Sequence, residues 1–172
     1  LTVYAFSTEN WKRPKEEVEA IMKLLRSYLK TSIKTSEKNN MKVRVIGDKS
    51  KLSQDIQDSI MKLEESSKKN TGLNLQVAIN YGGRDELVRA IKSISLQVKD
   101  HTIDLNDIDE TFLEDYIDTR GIPDPDLLIR TSGETRLSNF MLWQMAYTEF
   151  YFTDVLWPDF NKVELMKAIE YY

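Results

Sequence analysis

The chain has 172 residues, a formal net charge of −4, 41% hydrophobic and 30% charged residues, and no cysteine. That is enough chain for one domain with a real core, and the acidic balance argues against a nucleic-acid partner recognised through a broad basic face. The missing cysteines exclude disulfides, thiol nucleophiles and cysteine-based zinc sites, and no apolar run approaches the roughly 18 residues of a membrane span.

Residues 1–6 (LTVYAF) have the β-branched and aromatic content of a buried strand, which ends in the polar run Ser7-Thr8-Glu9-Asn10. Trp11 and Arg13 lie in the loop that follows, and Pro14 with Glu16 and Glu17 opens a helix. In that helix Val18, Ile21, Met22, Leu25, Tyr28, Leu29 and Ile33 recur at three and four, which predicts one buried face. Residues 41–47 alternate and predict a second strand. Ser53 is the expected cap of a helix with Ile56, Ile60 and Leu63 on one side. Leu73, Leu75, Val77 and Ile79 alternate strictly, giving a third strand that ends at Asn80-Tyr81-Gly82-Gly83-Arg84. The next helix, from about Asp85, is expected to bury Leu87, Val88, Ile91 and Ile94. After it come a polar loop holding His101 and a short helix around 110–117, stopped by Gly121 and Pro123.

The densest chemistry lies in residues 123–160. Leu127, Leu128 and Ile129 are too few and too apolar for anything but a buried strand, and Asp124-Pro125-Asp126 before them is turn chemistry. The strand therefore delivers Arg130 to its carboxyl end. Thr131 to Thr135 make a turn in which Gly133 is free to take positive φ, with backbone N–H groups and hydroxyls open to an anion. Arg136 and Ser138 follow where a helix over 138–145 is expected to begin, at the positive end of its dipole. Two guanidiniums, hydroxyls and a helix N-terminus in so short a stretch predict a phosphate or diphosphate site. The plainer alternative makes Arg130 and Arg136 surface partners of nearby acids. Residues 149–152 read as a further strand, and Asn161 with Glu164 as the capping pair of a last helix.

Strand and helix alternate throughout, which predicts an α/β fold: a single domain over residues 1–172, with a mostly parallel sheet flanked by helices on both faces. Ligands of such sheets collect outside the carboxyl ends of the strands. Here those ends are residues 7–13, 80–84 and 130–138. The Gly82-Gly83 pair is also what any tight strand-to-helix turn needs, and Trp11 can serve equally as a ligand contact or as a staple on the following helix. His101 reads as surface and the six methionines as packing. Glu149, Asp154 and Asp159 flank a strand and turn, where one carboxylate near two arginines could meet a metal.

Three colinear stretches, YAFSTENWKRP, NYGGRDEL and PDPDLLIRTSGETRLSNFMLWQMAYTEFYFTDVLWPDF, resemble signature regions of the cis-prenyltransferases, in particular the bacterial undecaprenyl diphosphate synthases. The resemblance implies condensation of isopentenyl diphosphate onto an allylic diphosphate such as farnesyl diphosphate, with Mg2+ and as a homodimer, to make a cell-wall lipid carrier. It implies that Ser7, Asn10 and Arg13 act in catalysis from a mobile loop, with Glu17 at the start of the following helix. Ser7, Trp11, Arg13, Arg130, Arg136 and Ser138 are then the substrate-binding residues, and Glu149 the carboxylate tied to metal and dimer contacts. The dimer would account for the apolar Phe140, Trp143, Tyr151 and Phe152. Ile21, Met22, Leu25, Leu29 and the second and third strands are the expected walls of a tunnel for the growing chain. Relatives carry His or Gln where Thr135 stands, so no role is carried over to it. An Asp-Gly-Asn-Gly-Arg motif and a basic carboxyl tail of the family are not in this sequence. The chain is thus expected to be a piece of something longer, with half a site and no activity alone. Cytoplasmic location, with peripheral membrane contact for product release, is the matching expectation. A non-catalytic cis-prenyltransferase-like subunit is the alternative, disfavoured because Arg13, Arg130 and Arg136 are all present.

Overall fold

The structure, a computed structural model, describes residues 1–172, which group into two compact units, Leu1–Arg120 and Gly121–Tyr172. Every strand pairing is parallel, as an α/β fold requires, and the five strands fall into a three-stranded and a two-stranded sheet.

In the first unit β1 (Thr2–Ser7), β2 (Lys42–Ile46) and β3 (Asn74–Tyr81) lie in the order β1-β3-β2. Parallel neighbours need long crossovers. These are supplied by α1 (Lys15–Lys38) and α2 (Gln54–Ser67), while α3 (Gly83–Lys99) and the short α4 (Glu110–Glu114) follow β3. The predicted periodicities locate the core. Met22 and Leu29 of α1, Ile56, Ile60 and Leu63 of α2, and Phe6, Val43, Val45 and Ile79 of the strands form one buried cluster. Each such side chain contributes about 1.5–3 kcal/mol by leaving water. Strand residues of opposite parity, Ile46 and Ala78, are buried on the other face of the sheet. Arg26 ties α1 to α2 by donating from Nε to Asp55 (2.6 Å) and from Nη2 to the Ser53 hydroxyl (2.9 Å). The Arg26 hydrogen bond, followed by that of Ser53, holds the Asp55 carboxyl down at about 2. Ser53 precedes α2 as expected but makes no side-chain capping bond.

The end strand β2 is sealed by side chains. Its outward N–H groups donate to Ser67 Oγ (from Val43, 3.1 Å) and Glu64 Oε1 (from Val45, 2.7 Å), and the next residue of that parity, Gly47, donates to Asp118 Oδ2 (2.9 Å).

Helix α3 corrects the expectation for its buried face. Val88 and Ile91 are exposed, and the buried residues are Gly83, Glu86, Ala90 and Ile94. Glu86 can be buried because it is partnered: Tyr81 Oη donates to Oε2 at 2.7 Å and the Asp118 N–H to Oε1 at 2.9 Å. Burial and the Glu86 charge together push the Tyr81 phenol far above its ordinary value. Nearby, Arg89 grips Asp118 through both terminal nitrogens, at 2.9 and 2.7 Å.

In the second unit β4 (Leu127–Arg130) and β5 (Glu149–Phe152) pair in register, Leu127 opposite Glu149 and Arg130 opposite Phe152. The last helix, α5 (Lys162–Tyr171), is capped by Asn161, whose side-chain oxygen accepts from the Val163 N–H at 2.8 Å. The helix expected over 138–145 is not formed. Ser138, Asn139 and Met141 take left-handed φ values of 51°, 63° and 45°, and residues 138–147 make a series of turns that bury Phe140, Met141 and Met145. Side chains at helical spacing are buried there without a helical backbone. No helix of the chain is long and apolar enough to cross a membrane.

Candidate functional site

Two clusters lie at the carboxyl ends of strands. The first follows β1, where a 3-10 turn over Thr8–Lys12 folds the loop back on itself. The Ser7 N–H donates to Asn10 Oδ1 at 2.8 Å and the Arg13 N–H to the Asn10 carbonyl at 3.1 Å, so Asn10 shapes the loop from within. Arg13 is exposed and ion-paired to Glu17 one helical turn on. The Trp11 ring stands edge-on to Phe6, centroids 5.0 Å apart, and its Nε1 donates to Asn80 Oδ1 at 2.7 Å. Asn80 in turn donates from Nδ2 to the Asp48 carbonyl at 2.7 Å. Trp11 is therefore tied to the end of β3, and is neither a ring standing loose in the loop nor a staple on α1. Asn80 is the residue that sequence reasoning passed over. The signal for it was an asparagine at the end of a strand, where a left-handed φ of 50° suits asparagine better than most residues.

The second cluster follows β4. Arg130 is half-buried, and its Nε is buried with no hydrogen-bond partner. Gly133 takes the expected positive φ of 68°, and a Cβ there would lie 3.1 Å from Asp154 Oδ1. Two amides of this turn, those of Ser132 and Gly133, are not open to an anion as expected. The Ser132 N–H donates to the Val155 carbonyl (2.9 Å) and that of Gly133 to the Thr153 carbonyl (3.0 Å), so the turn is spent on holding the chain beyond β5. With no helix over 138–145, Ser138 does not sit at a helix N-terminus either. Among the groups available to an anion are the Arg130 guanidinium, the exposed hydroxyls of Ser132, Thr135 and Ser138, and Arg136, which is 68% exposed and ion-paired with Glu134. Arg136 thus has an acidic partner of its own, whereas Arg130 Nε has none.

Glu149 lies at the amino end of β5 and Arg130 at the carboxyl end of β4. Three residues of strand separate the two levels, about 10 Å. No three acidic or histidine side chains gather as a metal site, so the chain presents single carboxylates and not a preassembled cage. Phe140, assigned above to a subunit contact, is instead core at 8% exposure, whereas Tyr147 is 98% and Phe152 40% exposed.

Known proteins resemble this chain in sequence and in fold. The sequence profile of the prenyltransferase family described as undecaprenyl diphosphate synthase matches residues 1–172. An isoprenyl transferase of Clostridium tetani is 52% identical over 172 residues, all of this chain and 68% of its own length. A ditrans,polycis-undecaprenyl-diphosphate synthase of Haemophilus influenzae, (2E,6E)-farnesyl-diphosphate specific, is 47% identical over all of this chain and 72% of its own length. The chain thus spans about two thirds of these relatives. The crystal structure of lavandulyl diphosphate synthase from Lavandula x intermedia in complex with dimethylallyl diphosphate superposes with a TM-score of 0.95 at 40% identity, covering 100% of this chain and 75% of that one. With a profile match from end to end and half of its residues shared with a transferase, the chain belongs to the undecaprenyl diphosphate synthase family of enzymes, the cis-prenyltransferases.

Proposed function

We propose that the protein condenses isopentenyl diphosphate onto farnesyl diphosphate with cis stereochemistry, building undecaprenyl diphosphate as a carrier for cell-wall synthesis. The observation that carries this reading is Arg130, a guanidinium held at the end of a strand with a buried N–H that has no acceptor within the protein. A buried unpaired donor costs about 1–3 kcal/mol. A diphosphate oxygen would remove that cost. Arg136 joins it by exchanging Glu134 for the ligand, and Ser138 donates its exposed hydroxyl. Each charge-assisted bond to the diphosphate is worth roughly 1.5–3 kcal/mol.

In the reaction the isopentenyl double bond attacks the allylic carbon as the C–O bond to the first diphosphate breaks, and the new cation loses a proton to restore a double bond. The protein's part is to hold and orient, and orientation alone can supply several kcal/mol of the barrier. Ser7, Asn10 and Arg13 serve from the loop after β1, with Trp11 as its anchor. Of the expected tunnel walls, Met22, Leu29, Val43 and Val45 are already packed in the core cluster, which leaves the partly buried Ile21 and Leu25 at its edge to receive the lengthening tail at about 0.8 kcal/mol per CH2 buried. Mg2+ belongs to this reading as the counter-ion that the diphosphates bring. Glu149 offers it one carboxylate and no cage, so no step is assigned to it. A homodimer formed through the exposed apolar surface of the second unit, a cytoplasmic location and peripheral membrane contact complete the reading.

Radiolabelled isopentenyl diphosphate incubated with the intact protein, farnesyl diphosphate and Mg2+ tests it, the 172-residue chain alone being expected to form no product. A butanol-extractable product that disappears in Arg130→Ala is expected. Tight binding of both diphosphates with no new carbon–carbon bond would leave a binding subunit in place of an enzyme.

A further inference from the structure

We propose that Asn80 is the positioning residue of the 7–13 loop, a latch that keeps the loop docked through the indole of Trp11. The latch stands on geometry alone, and only its consequence for substrate rests on the reading above. Asn80 has 0% exposure, and both ends of its amide are committed. An indole N–H can only donate, so the amide end 2.7 Å from Trp11 Nε1 must be the oxygen. The other end, 2.7 Å from the Asp48 carbonyl, must then be the NH2. The two bonds fix each other's sense. The backbone joins in, since the Asp48 N–H donates to the Asn80 carbonyl at 3.2 Å.

The β1–β3 ladder ends where Ser7 meets Tyr81, so past that residue sheet pairing no longer holds the chain. The bonds that Asn10 makes join the loop to the last residue of β1 and to Arg13, shaping it next to its own strand without reaching another one. The Trp11–Asn80 bond reaches from the loop to β3 across 69 positions of sequence. Losing it lets Asn10 and Arg13 move away together while Ser7 stays paired with Tyr81. The apparent dissociation constant of a ligand rises as the fraction of competent protein falls, so a loop docked a tenth as often costs about tenfold in affinity.

Two variants remove the bond from opposite ends. Asn80→Gly deletes the acceptor and tolerates the left-handed backbone. Trp11→Phe deletes the donor and keeps an aromatic ring against Phe6. Tryptic cleavage after Lys12, followed by mass, reads loop opening with no ligand present, the next bond being protected by Pro14. Each variant is expected to speed that cut about tenfold, and the double variant to do no more than either alone. In the intact protein, Asn80→Gly is expected to raise KM for farnesyl diphosphate about tenfold with kcat within about twofold. Cleavage at the wild-type rate in Trp11→Phe, or fully additive effects in the double variant, would overturn the latch. Should Asn80→Gly not fold, Trp11→Phe decides by itself, because it leaves Asn80 intact. A wild-type protein that turns over no farnesyl diphosphate refutes the functional reading, while the cleavage result still stands or falls separately.

Discussion

Arg130 combines two properties that seldom serve stability: a charged side chain partly withdrawn from water, and a buried N–H with nothing to donate to. A residue kept for packing would be improved by removing that donor. We therefore expect Arg130→Met, which fills similar space without an N–H, to melt no lower than the wild type, while isopentenyl diphosphate binding weakens about 10- to 100-fold. Arg130→Lys should fall between, keeping the charge and losing the fork. Thermal melting and isothermal titration check both. Loss of stability with unchanged binding would make Arg130 structural. Its position was legible because three apolar residues after a turn can only be a short strand. The fate of the Ser132 and Gly133 amides was not, since their acceptors, Val155 and Thr153, lie some twenty residues on with no local pattern to announce them. Asn80 was obscure for a similar reason: its partners Trp11 and Asp48 come from two other loops.

Elements were legible wherever burial and backbone period agreed. Strands β1 to β3 and helices α1 and α2 follow their apolar spacing because that spacing faces one shared core. Where the two part, the reading fails. In α3 the apolar Val88 and Ile91 are exposed, while Glu86, anchored by Tyr81 and Asp118, shares the buried face with Ala90 and Ile94. In 138–145 the left-handed residues break a pattern that looks helical. The sealed edge of β2 was also invisible, being made by side chains of α2 and, beyond the strand, by Asp118. Glu64 there accepts from the Val45 N–H and from Lys49 Nζ at 2.8 Å. Glu64→Leu leaves a strand N–H without an acceptor and should cost about 1–3 kcal/mol in urea unfolding. It should also promote aggregation through the opened edge. Glu64→Gln, which keeps a carbonyl oxygen, is expected to lose less and stay soluble. Equal losses in the two variants would mean that the Lys49 ion pair, and not the edge, is what Glu64 supports.

At the scale of the whole molecule, the ordinary composition and the acidic charge are compatible with many functions, and the three motif stretches carried the family by their order and length. The surface says more than the composition does. Helix α5 exposes Val163 (63%), Leu165, Met166 and Ile169 and fully buries only Ala168. Trp157 and Tyr147 add apolar area in the same unit. A helix apolar around most of its circumference belongs inside something, and exposed apolar patches of this kind mark association surfaces. A second copy is the occupant that the homodimer reading supplies. Val163→Lys with Met166→Lys places two charges on that helix without touching Ala168 or the Asn161 cap. Sedimentation equilibrium should then show a dimer for the wild type and a monomer for the double variant at the same concentration, with unchanged far-ultraviolet circular dichroism. A double variant that remains dimeric would move the interface off α5, and a wild type monomeric at every concentration would require another cover for these side chains.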